Sequence, residues 1–462
     1  MFKLRCSLVS LFAVFCFTSP LLFADYNRLG IPDSSELRRS LGDMWFEAPL
    51  ELVRQNKTEI RMNSLGQQFQ IRMEEQGNSF LVIVAPQMKL DVDVYTEHGV
   101  EHQTVATFPV DAAGSWVLSR DSISGKPLLI RYYFAQDSDV YVQFVPEERK
   151  TVADFVICGC YAARSVPVGI PFERFFTASF ADVLSLTAKT LPWKYADIHG
   201  DQYHSNLQMA SVIRKNLGRI TYADDAAYNE DGKPVYISNG KPRVVTEAEK
   251  SEKRLSLSSA GFVKWIVDGL IEPRTGSNTL LAPLTHRTVE FKPQGAAGIR
   301  SETDDITFTL DWTRNLAAAL LSVRTGKNYY FDDSGVDVNI EPFSAELTPD
   351  GIQQTAGYIK DTGYAAGKLR SLLYVLAVTE PSYCYLAAVR SRDPGTPAGR
   401  QPEAYVFNQT AVLIPYFDAG GRFACVVFEN GNEMPLNAFV AKYGKCFIHL
   451  TRVLTSNQFF PQ

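Results

Sequence analysis

The sequence predicts a multidomain chain in two parts, an all-β, sandwich-like module followed by an α+β module whose helices pack on an antiparallel sheet. Three observations predict it. Between about residues 58 and 157 apolar side chains recur with period two, in short runs separated by turn clusters. Around residues 255–270 they recur at helical spacing, and after residue 411 they return to strand-like runs across a Gly-Gly turn. Those two periods distinguish half-buried strands from amphipathic helices. The 462 residues suit two or three domains at roughly 150 residues each. A 45% hydrophobic, 21% charged composition can fill a large core and excludes a disordered or fibrous chain. Forty-six Lys and Arg against 51 Asp and Glu give a formal charge of -5, which argues against nucleic acid or an anionic membrane as the partner.

Met1–Ala24 carries Lys3 and Arg5, no acid, an apolar run from Cys6 and a small residue before Asp25. Basic start, apolar stretch and small terminal residue describe a secretory signal peptide, so the mature chain is expected in the periplasm or outside the cell. Leu22 stands where a small residue is preferred, and an uncleaved anchor is the alternative. No later apolar run approaches the ~18 residues of a membrane span. Cys158, Cys160, Cys384, Cys425 and Cys446 remain after the leader, an odd number. The Cys158-Gly159-Cys160 spacing is too tight for an unstrained disulfide and lacks the two-residue spacer of a zinc or redox pair.

The first module spans residues 25–165. Phe69, Ile71 and Met73 alternate with polar residues, as do Val92 and Val94. The runs Phe80–Val84, Trp116–Leu118, Leu128–Phe134 and Val140–Val145 are β-branched or aromatic, with turns such as Gly77-Asn78 and Ser124-Gly125 between them. His98 and His102 have the spacing of a helical metal pair, but Gly99 and the alternating Asp91–Tyr95 place them on a turn, so no metal is expected there. A connector follows over 166–192, with a helix near 175–187.

The second module covers 193–462. Trp193, Tyr195 and Tyr203 precede a helix capped by Ser205, and core packing is their expected role; His199 and His204 beside them are not expected to be ligands. Phe262, Val263, Ile266, Val267 and Leu270 then form one helix face, with Ser258 or Ser259 as its cap and Pro273 after its end. Further helices are expected near 311–325, 349–361 and 364–378. Ala411–Tyr416 and Phe423–Phe428 form a hairpin across Asp418–Gly421, and Cys446–Leu454 a third strand. The Pro/Gly-rich loop from Arg390 to Arg400 carries three Arg, which would face either solvent or acidic ligand groups.

The run Ser258-Ser259-Ala260-Gly261-Phe262-Val263 resembles the nucleophile motif of the NlpC-type cell-wall peptidases, Asp-Cys-Ser-Gly-Phe-Val. The resemblance extends over roughly 193–452 and implies a papain-like fold. It also implies a Cys at the helix start, a His opening the next strand and a third polar residue on the strand beyond. Ser259 stands at the Cys position, Gln409 at the His position and Glu429 near the third. A thiol at a helix N-terminus becomes thiolate readily, whereas a serine hydroxyl needs a general base, and an amide cannot accept the proton. The expectation is an exported pseudo-peptidase that binds a cell-wall peptide or glycan, or an envelope protein, with no cofactor. An active hydrolase using Ser259 with an unidentified base, and a purely structural envelope scaffold, are the alternatives. His449, in the third strand, is expected to be structural.

Overall fold

A computed structural model describes residues 30–96, 99–136, 139–148, 150–289, 305–393 and 404–462. The leader, His98 and the loop beyond residue 393 lie outside these residues. The period-two segments form β1 (Glu59–Met62), β2 (Gln68–Gln76), β3 (Ser79–Pro86), β4 (Met88–Thr96), β5 (Gly99–Thr107), β6 (Trp116–Asp121), β7 (Pro127–Tyr133), β8 (Val140–Glu147), β9 (Lys150–Ile157) and β10 (Cys160–Pro167). All except β4 and β5, which pair with each other, join one antiparallel sheet in chain order. Alternation sorts the side chains: Phe80, Val82 and Val84 of β3 enter one core, Ile83 and Ala85 a smaller one on the opposite face.

The sandwich expectation is corrected here, because the first face is covered by helical turns and not by a second sheet. Trp45 and Phe46, the turn Phe172–Phe176 and helix α1 (Phe180–Thr187) supply that cover. Arg38 fixes it in place. Its buried guanidinium donates to the carbonyls of Phe176 at 2.6 Å and Ala178 at 2.7 Å, and lies over the Trp116 ring. Alternation in the strands says only that one face is apolar; what covers it is written elsewhere in the chain.

The second half begins with α2 (His204–Asn216), one residue before the expected Ser205 cap. Short strands β11 (Ile220–Tyr222), β12 (Ala226–Tyr228), β13 (Pro234–Tyr236) and β14 (Leu255–Leu257) lead into α3 (Ser259–Thr275) and α4 (Phe308–Thr325). Then follow β15 (Ala345–Thr348), β16 (Gly351–Gln354), β17 (Tyr364–Ala365), α5 (Leu369–Thr379), β18 (Tyr383–Arg392), β19 (Tyr405–Phe417), β20 (Phe423–Glu429), β21 (Asn432–Pro435), α6 (Leu436–Lys442) and β22 (Phe447–Leu454). The second sheet is antiparallel in the order β17-β22-β18-β19-β20-β21. Val412 and Ile414 of β19 pack with α3 and α4 on one face. Ala411 and Leu413 pack with α5 and α6 on the other.

Three sequence expectations change. The helix expected near 349–361 is instead the hairpin β15–β16, turned at Pro349-Asp350. Strand β18, at the centre of the sheet, was not anticipated, and Pro273 lies within the last turn of α3. The two halves are also joined: β15 pairs with β10 through Cys160–Glu346 and Tyr161–Ala345, so its hairpin supplies the last two strands of the first sheet. Trp193, Tyr195 and Tyr203 are buried in the first core together with Tyr374 of α5 and Phe417 of β19, and the Tyr203 hydroxyl donates to Ala377 O at 2.9 Å. They pack the seam between the halves. No helix among the described residues is long and apolar enough to cross a membrane.

Candidate active site at the start of helix α3

Ser258 adopts an extended conformation and is the N-cap of α3, its Oγ accepting from Gly261 N at 3.1 Å. Satisfying an orphan helix donor in this way leaves Ser259 as the first helical residue. Residues 259–271 are all buried, so the helix runs through the core, and the Trp312 indole of α4 donates to Ala260 O at 2.9 Å to hold its first turn.

Ser259 meets Thr410 of β19. The Thr410 N–H donates to Ser259 Oγ at 2.8 Å, and the Thr410 hydroxyl donates to Ser259 O at 2.7 Å. With that proton committed, the 2.8 Å Oγ–Oγ1 bond has Ser259 as donor. Both hydroxyls are therefore satisfied within a closed ring of hydrogen bonds at a buried helix start. Ser259→Ala would leave the Thr410 N–H without its acceptor, and is expected to lower unfolding stability by about 1–3 kcal/mol in denaturant titrations. An unchanged midpoint would remove this structural role.

Gln409 reaches the same cleft, but its side chain is not the one that faces Ser259. Its Oε1 accepts from Asn430 Nδ2 at 3.4 Å, and its carbonyl accepts from Thr309 Oγ1 at 3.4 Å. The register runs Val389–Gln409 and then Arg390–Phe407, so Asn408 is an extra residue in a β-bulge. Because side chains alternate, a slip of one residue exchanges faces, and the position opposite Ser259 belongs to Thr410. Counting back by twos from the buried Ile414 and Val412 would have found it.

Glu429 is on the other side of the sheet. Its carboxylate, 2% exposed, accepts from Lys442 Nζ at 2.6 Å and from the Tyr443 hydroxyl, tying β20 to α6. Burial and this carboxylate push the Tyr443 phenol up. Glu429 shares its face with Val427 and not with Phe428, which packs towards α3.

His449 is separated from the serine by a whole strand. Ala388 of β18 pairs with Thr410 on one side and His449 on the other. Two strand spacings put the His449 backbone roughly 10 Å from that of Thr410. His449 instead lies 3.3 Å from Asp337, within a buried group that includes Arg314 and Tyr358. Burial pushes its imidazole down, with Asp337 opposing.

A cleft of about 430 Å³ opens at the helix start, lined by Ser258, Ser259, Ala260, Phe308, Phe407 and Asn408, with Asp225 and Asp305 at its side. It shares Asp225, Ile237, Asp305 and Phe308 with a cleft of about 940 Å³ that adds Glu230. No Lys, Arg, His or Cys is among the described residues lining either. Asp225 has a left-handed backbone (φ 56°), and its carboxylate accepts from Ser238 N at 2.8 Å and Ser238 Oγ at 2.5 Å. Sequence reading missed both aspartates, since nothing in their spacing links them to Ser259. His102 falls in β5, and no cluster of three or more His, Cys, Asp or Glu able to hold a metal occurs among the described residues.

A family described as "Domain of unknown function (DUF8515)" matches residues 27–195, which cover the first ten strands and the connector and end well before Ser259. No curated protein and no solved structure matches the chain.

Proposed function

We propose that the second half is a papain-like module related to the NlpC-type cell-wall peptidases, with its thiol and imidazole replaced, and that the exported protein binds an envelope peptide without cleaving it. One observation carries this reading: a helix N-terminus and a strand of an antiparallel sheet meet through two side chains, as the family chemistry requires, but the pair is Ser259 and Thr410, each consuming the other's hydrogen bonds. A serine nucleophile needs a base within about 2.6–3.2 Å, and among the described residues the hydrogen-bond partners of Ser259 Oγ are all atoms of Thr410. That favours binding over the hydrolase alternative. The open cleft beside it favours recognition over a filled scaffold. Its carboxylates Asp225 and Asp305 alongside Phe308, with Glu230 of the adjoining larger cleft, suit a peptide with a free amino group and an apolar flank.

The test incubates the mature protein with muropeptides, reads cleavage by mass spectrometry and measures binding by calorimetry. No cleavage is expected, with saturable binding that falls at least roughly tenfold when the free amine is acetylated, or when exposed Asn408 is replaced by Trp to fill the cleft. Cleavage that disappears in Ser259→Ala would establish the hydrolase, and absence of binding would leave the scaffold.

A further inference from the structure

The turn joining β9 to β10 holds nucleophiles that the cleft at α3 does not use. Ile157 pairs with Cys160, so Cys158 and Gly159 form a two-residue connection, with φ of 47° and 78°. Hairpin turns of this hand favour Asn-Gly or Asp-Gly, because both central residues sit at positive φ. Cys158 occupies a left-handed position that a cysteine adopts at a cost, and the turn itself gains nothing from its sulfur.

Both sulfurs face the first turn of the eleven-residue helix α5. Arg370 Nε donates to Cys158 Sγ at 3.4 Å, and the Ser371 hydroxyl shares its one proton between Lys368 O at 3.0 Å and Cys160 Sγ at 3.3 Å. Arg370 is the cation that hydrogen-bonds to sulfur, and Lys368, which pairs with Glu346 of β15, also interacts with Cys160. A guanidinium N–H directed at a sulfur favours its thiolate, and here that sulfur is Cys158. Cys158 is partly exposed and Cys160 is 4% exposed, so an outside reagent meets Cys158 first. The other described cysteines differ: burial pushes the Cys384 thiol up to about 12 and also raises those of Cys425 and Cys446.

We propose that Cys158 and Cys160 are a thiol–disulfide exchange pair, Cys158 attacking an external disulfide and Cys160 resolving the product. The Cys158 thiolate forms a bond to one sulfur of R–S–S–R′; the old S–S bond breaks, and R′–S⁻ leaves and takes a proton from water. Cys160 then gives up its proton to water and attacks the Cys158 sulfur, forming the Cys158–Cys160 bond and releasing R–S⁻. Two electrons pass from the pair to the external disulfide. A ring closed over one intervening residue is strained, which suits an exchangeable link better than a permanent one.

The experiment uses the reduced full chain. In limiting iodoacetamide at pH 7, with alkylation mapped by mass spectrometry, Cys158 is expected to react at least roughly tenfold faster than Cys446, the other partly exposed thiol among the described residues, and Arg370→Gln to shrink that advantage severalfold. With oxidised glutathione, Cys160→Ser is expected to accumulate a mixed disulfide on Cys158, whereas the unaltered chain proceeds to the internal disulfide. Cys158→Asn suits the turn, keeps the fold intact and is expected to form neither. Equal rates at Cys158 and Cys446, no adduct in Cys160→Ser, or an unaltered chain that stops at the mixed disulfide would each overturn the proposal.

Discussion

Gly261→Ala is expected to unfold the second half of the protein or cost about 3 kcal/mol or more, at the upper end of overpacking effects. A Cβ there would lie 2.1 Å from Ala226 O and 3.2 Å from Ala226 C, both backbone atoms. That carbonyl cannot move away freely, because it accepts from Ser258 N at 2.9 Å and from the Ser258 hydroxyl at 3.1 Å. The helix start, its cap and β12 thus close on one point where only hydrogen fits. Gly218→Ala is the control: nothing lies within 4 Å of its added carbon, and a change within about 0.5 kcal/mol is expected. Denaturant unfolding followed by tryptophan fluorescence compares the two, with Trp265 and Trp312 reporting on this core. A Gly261→Ala chain as stable as the Gly218 variant would show that α3 can retreat from β12.

Arg314→Met is expected to cost about 3–5 kcal/mol at neutral pH, the usual result of stranding buried charge. From α4 its guanidinium grips Asp337 through two bonds of 2.6 and 3.2 Å, reaches Asp361 at 2.8 Å and lies over the Phe331 ring at 4.2 Å. Asp337 bridges to Thr451 of β22, so the cluster ties the helix to the sheet. Burial alone would raise the Asp337 carboxyl, but His449 and Arg314 together hold it below its ordinary 3.8. A depressed carboxylate contributes stability that is present above its unfolded value and lost as pH falls through the folded one. The deficit of the variant should therefore be largest near pH 7 and narrow below about pH 4. Arg314→Lys should fall between the two, because a point charge cannot fork across two carboxylates. Urea titrations at pH 7 and pH 3.5 decide it, and a deficit independent of pH would show that lost packing, not charge, is responsible.

What could be read beforehand follows from how each segment is buried. Strand β2 alternates Phe69, Ile71 and Met73 against one core, and Gly77-Asn78 closes its hairpin, so periodicity and turn chemistry both point to it. Helix α3 carries its own cap and stop, Ser258 and Gly276. Strand β18 is buried on both faces from Cys384 to Val389, and an apolar run without alternation does not distinguish strand from helix. In β15–β16 the larger apolar residues, Leu347 and Ile352, are exposed, and pairing with β10 defines the strand where pattern does not. The site follows the same logic. Ser259 was legible from the small residues at a helix start. Its partner was misplaced by one residue because the strand was registered from its opening and not from the alternation of the buried Val412 and Ile414, and Glu429 because the side of a sheet depends on a parity that the hairpin alone does not fix.

The late arrival of β15 and β16 gives the polypeptide a particular order of assembly. As a nascent chain grows from its amino end, the outer edge of β10 at Cys160 and Tyr161 has its hydrogen-bonding groups uncovered until Ala345 and Glu346 emerge. Over that interval a bare strand edge is a template for any passing strand, the usual opening for intermolecular aggregation. Holding the growing chain unfolded until well past residue 354 would avoid the hazard, whereas a truncation ending in the connector would make it permanent. Maturation of the amino-terminal half thus waits on sequence from the carboxy-terminal half.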